Sequence, residues 1–293
     1  MNQASKNTKS SLHSVTPLHL EEPPNMALLL AKASVKTGQY KVGDALPPLT
    51  AHWENLWVDS DHLQRYNKIC GFDANQLPAT YLWVRAFPLI MTVLVSRQFP
   101  LRAMGQVHLR NKISVHSPLD INKKFSITAA VDHSELSSKG LEWSMQISVM
   151  TDSQIVWSSC STFLYRCDTG IMRDSKPLTE PQGDSQEWVL PSDLGRCYAS
   201  ISGDYNPIHL SALSAKLFGF RKAIAHGMWS KARCLAAMDS VIPDAGYSVD
   251  VNFLKPVFLP SRVNFYSDIS EGQGYFSLFN FCGDQMHLQG SIL

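Results

Sequence analysis

An internal repeat is the feature of this 293-residue chain that most constrains its fold. The stretch Tyr66–Gly71 (YNKICG) matches Tyr198–Gly203 (YASISG), and Val107–Val115 matches Val249–Val257. The copies are offset by 132 residues at the first pair (198 − 66) and by 142 at the second (249 − 107). Either the second copy gained ten residues between these anchors or the first copy lost them. A repeat of this length predicts a duplicated domain and not a solenoid.

Both copies show the same order of predicted elements. A polar loop with glycine precedes an apolar helix, Tyr81–Val95 in the first copy and Gly227–Met238 in the second, and alternating strands follow. This order predicts an α+β fold, and a helix that is apolar nearly all round is expected to be wrapped by the sheet. The predicted strands are Gln106–Val115, Phe125–His133, Leu141–Thr151, Ile155–Leu164, Tyr247–Val257, Val263–Ile269, Tyr275–Phe281 and His287–Leu293.

Two polar stretches set the expected domain boundaries. Residues 1–24 are rich in Ser, Asn and Lys, and residues 168–187 hold two prolines and two glycines with almost no apolar periodicity. Such compositions are typical of flexible segments. The predicted organisation is a flexible N-terminal segment (1–44), a first half (45–167), a linker (168–187) and a second half (188–293).

Composition argues against several classes of protein. A chain with 44% hydrophobic and 17% charged residues is globular, and its net charge of +1 gives no overall attraction to nucleic acid or an anionic membrane. No apolar region of a secretory signal is seen, and the longest apolar runs are far shorter than the roughly 20 residues that cross a bilayer. The six cysteines show neither CxxC pairs nor zinc-ligand spacing. A cytoplasmic protein with reduced thiols and without metal or cofactor is expected.

A possible acid–base pair brackets a turn in the second copy. Asn206-Pro207 is a strong turn signal, and Asp204 and His209 stand on either side of it. The turn can bring a carboxylate and an imidazole to one point, where they can hold a water molecule and move protons in both directions.

A helix N-terminus is expected close downstream of this pair. Gly227 lies where the buried helix of the second copy should begin. Free backbone N–H groups at such a terminus stabilise an anion, and glycine has no side chain to block a ligand. A developing enolate oxygen is one such anion.

Residues 198–231 resemble the signature of the MaoC-like, (R)-specific enoyl-CoA hydratase family, whose members have the hot-dog fold. The pattern is Tyr, a short spacer, Ser-Gly-Asp-x-Asn-Pro-(Ile/Leu)-His, then Gly-Phe and Ile-Ala-His-Gly. The resemblance covers the C-terminal half well and the N-terminal half more weakly, and it implies a double hot-dog. The matching positions are Tyr198, Ser202, Gly203, Asp204, Asn206, Pro207, Ile208, His209, Gly219, Phe220, Ile224, Ala225, His226 and Gly227.

The resemblance implies a hydro-lyase that adds water to trans-2-enoyl thioesters, gives (3R)-hydroxyacyl thioesters and runs in reverse. Asp204 and His209 would be the catalytic dyad that orients the water, and the Gly227 N–H would polarise the thioester carbonyl as an oxyanion hole. Which member of the dyad takes the proton from water stays open. The residues assigned to substrate binding are Tyr205, Asn206, Arg221, Lys222, Ala225 and His226.

The first copy departs from this pattern. Phe72 stands opposite Asp204 and Leu77 opposite His209, and the ten-residue deficit falls where the second copy carries its catalytic loop. We therefore expect the first half to lack chemistry and to help form the acyl pocket.

Some motif residues also have a structural interpretation. Tyr198 is expected to pack, because Tyr66 repeats it in the half without the dyad. His226 is expected to hydrogen-bond locally and shape the helix start. Arg221 and Lys222 either meet a cofactor phosphate or form a solvated surface pair.

Two rival functions remain at this stage. A hot-dog thioesterase would need a carboxylate on or near the central helix, and a non-catalytic acyl-binding subunit would not need to retain both dyad residues. The acyl carrier is coenzyme A or acyl carrier protein. Two hot-dog halves in one chain can pair internally, so both a monomer and a homodimer are open.

Overall fold

The fold is described from a computed structural model over residues 17–22, 24–172, 180–181, 183–270 and 273–293. The strands in these ranges are β1 (Leu18–Leu20), β2 (Thr50–Leu56), β3 (Val107–Val115), β4 (Phe125–Ser137), β5 (Gly140–Thr151), β6 (Gln154–Tyr165), β7 (Asp184–Leu190), β8 (Tyr247–Phe253), β9 (Ser261–Ser270), β10 (Gln273–Asn280) and β11 (Met286–Ile292). The α-helices are α1 (Met26–Val35), α2 (Ser60–Cys70), α3 (Ala79–Val95), α4 (Leu194–Ser202), α5 (Pro207–Leu210), α6 (Ala212–Lys216) and α7 (Gly227–Ala237).

The strands form one continuous sheet in which the two halves mirror each other. The order is β1-β2-β4-β5-β6-β3-β8-β11-β10-β9-β7, antiparallel throughout except where β1 joins β2. Without β1, the order from β2 to β3 in the first half repeats from β7 to β8 in the second. The long helix α3 lies against β2, β3, β4 and β5 and is largely buried, as is α7. The predicted α+β fold, with helices wrapped by a sheet, is confirmed.

The two halves meet along the antiparallel pair β3 and β8. Arg110 stands opposite Asn252, and these are equivalent residues of the repeat (252 − 110 = 142), so a local two-fold axis passes between them. The Arg110 guanidinium forms an ion pair with Asp250 across this seam. Beneath it, the fully buried Lys231 of α7 donates to the main-chain oxygen and side-chain oxygen of Asn111, at 2.9 and 2.7 Å.

The halves also cap each other's helices at equivalent places. Ile69 and Ile201 occupy the same position of the repeat, near the ends of α2 and α4. The Ile69 carbonyl accepts a hydrogen bond from Trp229 Nε1 at 3.0 Å, and the Ile201 carbonyl accepts one from His62 Nε2 at 2.9 Å. Carbonyls in the last turn of a helix have no partner within it, so each half satisfies a group that the other leaves open.

The structure explains the ten-residue difference between the copies as two opposing changes. Seven residues (72–78) separate Gly71 from α3, whereas 23 residues (204–226) separate Gly203 from α7. Helix α3 has 17 residues and α7 has 11. The second half thus has 16 more loop residues and six fewer helical ones. Its extra loop contains α5 and α6, and α7 consequently begins later in the second copy than α3 does in the first.

Several predicted segments differ from the structure. The segment 1–44 was expected to be flexible, but β1 pairs with β2 and α1 packs on α3; residues 1–16 lie outside the described ranges. Strand β7 begins inside the expected linker, of which 173–179 and 182 are also outside those ranges. The polar loops expected before the long helices contain α2 and α4. No helix in the described ranges is long and apolar enough to cross a membrane.

Acid is expected to destabilise the protein through buried histidines. Burial, followed by the charge of Lys231, lowers the pKa of His108 to about 3. The unfolded chain binds a proton below about pH 6.5 and the folded chain does not, so stability is lost as pH falls below that value, by ~2 kcal/mol at pH 5 from this residue.

The variant His108→Phe checks this expectation. His108 stacks on Trp83 and Phe163, so a phenyl ring suits the site. We expect the free energy of unfolding by urea to fall less between pH 7 and pH 5 in His108→Phe than in the wild type. His133→Phe, at an exposed position, should keep the wild-type pH dependence. Equal pH dependence in all three proteins would contradict the assignment.

Candidate active site

The loop that carries Asp204 and His209 begins where α4 ends. Gly203 adopts a left-handed conformation, with φ of 75°, and its N–H bonds to the Ala199 carbonyl at 2.9 Å. This turns the chain so that the Asp204 N–H donates to Ser202 Oγ at 3.2 Å. The Asp204 carboxylate then accepts the Asn206 N–H through Oδ1 at 3.2 Å. One carboxylate oxygen is thus used to shape the loop.

His209 is held in one orientation by the segment that precedes α7. Asn206 caps α5, which begins at Pro207 and places His209 in the interior. His209 Nδ1 lies 2.8 Å from the Ile224 carbonyl oxygen, which can only accept, so Nδ1 carries the proton. The other ring nitrogen, Nε2, keeps its lone pair for a ligand.

His226 connects the loop of Asp204 and His209 to the start of α7. It is the N-cap residue of α7, is buried, and donates through Nε2 to the main-chain oxygen of Asp204 at 3.0 Å. Its ring stacks on that of His209 with a centroid distance of 3.6 Å. Asp204, His209 and His226 each place a ligand atom within 4.8 Å of the others, a spacing that one bridging water can span with ordinary hydrogen bonds.

Burial governs the ionisation of these three groups. It raises the pKa of the Asp204 carboxyl above its ordinary value, although His209 and the Asn206 N–H oppose the change. Burial also lowers the pKa of His209 and, more strongly, that of His226. Both imidazoles are therefore neutral at neutral pH. A carboxyl with a raised pKa beside a neutral imidazole is suited to exchanging protons with a substrate.

The same three residues are of types that bind metals, but their geometry does not favour an ion. The imidazole rings of His209 and His226 are only 23° from parallel. Lone pairs lie in the planes of the rings, so those of two nearly parallel, stacked rings do not converge on one point, whereas the ligands of one ion must. One ring would have to rotate and give up its backbone hydrogen bond.

Gly227 opens α7 next to this cluster. The first N–H groups of an α-helix have no partner within the helix, so the Gly227 N–H is available to a ligand. A Cβ at this position would lie 3.1 Å from the ring of Phe253. Glycine is therefore needed for close packing on Phe253, in addition to the open approach expected from the sequence.

The other residues predicted to bind substrate lie in two different environments. Ala225 is buried and its N–H bonds to the Val257 carbonyl at 2.9 Å, which fixes an extended approach to α7. Tyr205, which follows Asp204 in the same loop, is 43% exposed. Arg221 and Lys222 are exposed and line a cavity of about 190 Å³ that does not include the dyad.

One contributor, Gly195, was not predicted from the sequence, and a second, Tyr198, was expected to pack without its partner being known. Gly195, in the first turn of α4, lies so close to α5 that a Cβ would overlap the main-chain oxygen of His209. The Tyr198 ring packs 4.9 Å from that of His226, and its hydroxyl is buried without a partner among the described residues. A glycine near the start of a helix is the only sequence signal for the first.

Comparisons with known proteins identify the family. A model of the MaoC like domain matches residues 174–283. The chain is 29% identical over 279 residues to 3-hydroxyacyl-thioester dehydratase X of Mycobacterium tuberculosis, covering 93% of this chain and 99% of that protein. In the crystal structure of that protein, HtdX, the identity is 30%, the TM-score is 0.74, and 82% of this chain and 98% of that chain are covered.

The chain belongs to the MaoC-like dehydratase family. Dehydratases of this kind are hydro-lyases, and the double hot-dog fold that the resemblance implied is confirmed by the match to HtdX over both halves. A MaoC-like dehydratase from Phytophthora capsici shares the fold, with a TM-score of 0.67 at 18% identity over 87% of this chain and 97% of that one. The mitochondrial 3-hydroxyacyl-[acyl-carrier-protein] dehydratase of Arabidopsis thaliana is 30% identical over 76 residues, 26% of this chain and 46% of that protein.

Proposed function

We propose that this MaoC-like protein hydrates trans-2-enoyl thioesters to (3R)-hydroxyacyl thioesters and catalyses the reverse dehydration. The observation that carries the proposal is the meeting of Asp204 and His209 beside the start of α7, on a loop that the first half lacks. The names of HtdX and the Arabidopsis protein, both dehydratases of 3-hydroxyacyl thioesters, support the reaction class.

The proposed roles follow from which atoms remain free. One Asp204 oxygen and His209 Nε2 hold a water molecule, because the other oxygen and Nδ1 are used by the backbone. The Gly227 N–H binds the thioester oxygen, which draws electrons from C3 and accepts negative charge as the enolate forms. The water oxygen bonds to C3, its proton passes to the dyad, and a proton returns from the dyad to C2. Dehydration follows the same path backwards.

The first half is proposed to be non-catalytic. Its loop of residues 72–78 is too short for a counterpart of α5, and the residues opposite the dyad are Phe72 and Leu77. The support that it gives is structural, through the seam with β8 and the hydrogen bond from His62 to the end of α4.

The proposed reaction is tested by mixing the protein with trans-2-enoyl-CoA of short, medium and long chain. Loss of the conjugated enoyl absorbance with formation of the (3R)-alcohol is the expected result. The same measurement with enoyl groups on acyl carrier protein covers the second carrier. Release of free thiol would indicate a thioesterase, and binding of both carriers without turnover would indicate an acyl-binding protein; either contradicts the proposal.

A further inference from the structure

The loop inserted in the second half carries exposed apolar side chains beside the active site. Leu213 is 78% exposed and Leu217 is 83% exposed. Four residues apart on and just after α6, they lie on one side of that helix. Phe218, which follows, is also exposed. Leucines exposed to this extent and grouped together indicate a contact with another molecule.

Cations flank these apolar side chains, and acids are absent from the surrounding sequence. Residues 205–238 contain no Asp or Glu. Lys216, Arg221 and Lys222 are exposed within this stretch, and none of them forms an ion pair with a described residue. The carrier face, defined here as Leu213, Lys216, Leu217, Phe218, Arg221 and Lys222, therefore combines apolar groups with uncompensated positive charge.

A short extended segment connects this face to the active site. Residues 223–225 of this segment are held extended by hydrogen bonds of Ala223 and Ala225 with Leu259 and Val257. Six residues span at most ~20 Å from Arg221 to Gly227. A phosphopantetheine arm has about fourteen bonds between its phosphorus and the thioester carbon. If each bond adds as much length as a backbone bond of an extended peptide, the arm is ~16 Å long. The arm is shorter than the fully extended segment by a few Å, a gap that the long side chains of Arg221 and Lys222, which line the cavity, can cover.

We propose that the carrier face docks an acidic acyl carrier protein, which delivers the enoyl or hydroxyacyl group on its phosphopantetheine arm. The inference rests on the proposed function. Both carriers have a phosphate for Arg221 and Lys222, but only a protein offers a surface that covers Leu213 and Leu217. Carboxylates on that protein complement the cations of the face, which aligns the two molecules and speeds their encounter.

Kinetics with matched substrates test the proposal. The trans-2-butenoyl group is presented on holo acyl carrier protein and, separately, on coenzyme A, to the wild type and to Leu217→Glu and Lys216→Glu. We expect the KM for the carrier-protein substrate to rise about tenfold or more in both variants, while kcat/KM for the CoA substrate stays within about twofold. Ile155→Glu, on a half-exposed site of the first half, should change neither value.

The outcomes separate this inference from the proposed function. Turnover of neither substrate by the wild type would remove the proposed function itself. Turnover with equal loss on both substrates in the variants, or with no effect on the carrier-protein substrate, would overturn the docking face alone. Light scattering after gel filtration adds one more outcome. If the wild type is a dimer that Leu217→Glu converts to a monomer, and the carrier-protein kinetics are unchanged, the face binds a second copy of this chain. That result would overturn the proposal. Lys216→Glu, at an exposed position, keeps the test valid if Leu217→Glu folds poorly.

Discussion

Asp204→Asn is expected to lower kcat for hydration by about 10²–10⁴-fold, the usual contribution of a positioned acid or base. The amide keeps the size of the side chain and an oxygen that can accept the Asn206 N–H at the position of Oδ1. It cannot take up a proton from water, and it removes the negative charge beside His209. Stopped-flow measurement with saturating trans-2-enoyl-CoA separates the loss in kcat from any change in KM.

Asp73→Asn is the matched control for this variant. Asp73 is an exposed carboxylate in the short loop of the first half, one residue after the position equivalent to Asp204. We expect wild-type rates from it. A rate within tenfold of the wild type for Asp204→Asn would be incompatible with the dyad, and a loss in Asp73→Asn as large as that in Asp204→Asn would show that the first half is not silent.

Gly195→Ala is expected to reduce turnover about 10²-fold, although the substituted residue does not touch the substrate. The added methyl group would overlap the main-chain oxygen of His209, so α5 must move away from α4. A displacement of about 1 Å in a catalytic group has an effect of this order. Alanine is a better helix former than glycine by less than ~1 kcal/mol, but displacing the backbone of α5 costs ~1–3 kcal/mol, so a modest loss of stability should accompany the loss of turnover.

Ser200→Ala is the control that shows whether the effect of Gly195→Ala depends on where the substituted residue lies on α4. Ser200 is exposed on the same helix, and its substitution should leave both turnover and thermal stability near wild type. The first half offers internal support, since the residue equivalent to Gly195 (195 − 132 = 63) is Leu63, a large buried side chain. That half has no α5 to accommodate. Wild-type kcat in Gly195→Ala would show that the packing of α4 on α5 has no part in placing His209.

Much of the fold could be predicted from the repeat. Elements that carry a strong apolar pattern in their own residues can be recognised in each copy. The long helices and eight strands are of this kind. Strand β7 is different: of its seven residues only Trp188 and Leu190 are buried, and among the described strands it pairs with β9 alone, at the end of the sheet. Its conformation depends on that pairing, which a local pattern does not contain.

The sequence did not predict the helices α2 and α4, for a related reason. The sequence of α4, LGRCYASIS, is poor in strong helix formers, and its glycine and serines are typical of loops. It is held instead by Tyr198 in the core and by the hydrogen bond from His62 at its end. Packing across the two halves therefore decides the local structure that precedes the catalytic loop.

The candidate site could be predicted only as far as its residues share one motif. The turn signal at Asn206-Pro207 predicted that Asp204 and His209 approach each other. It did not predict the stacking of His226 on His209, because these residues are distant in the sequence and come together only when the chain folds. The role of Gly195 could not be predicted, because it depends on the lack of a side chain at a close contact that only the structure reveals.

The seam between β3 and β8 has a consequence for how the halves recognise each other. If two copies of the first half paired in the same register, Arg110 would face Arg110, which is an unfavourable cross-strand pair. In the actual pairing, the single anion Asp250 lies among the cations of the other strand. Produced as separate polypeptides, the halves would therefore be expected to choose each other over themselves. The seam is therefore complementary in charge, as an interface between two unlike subunits is, although both sides belong to one chain.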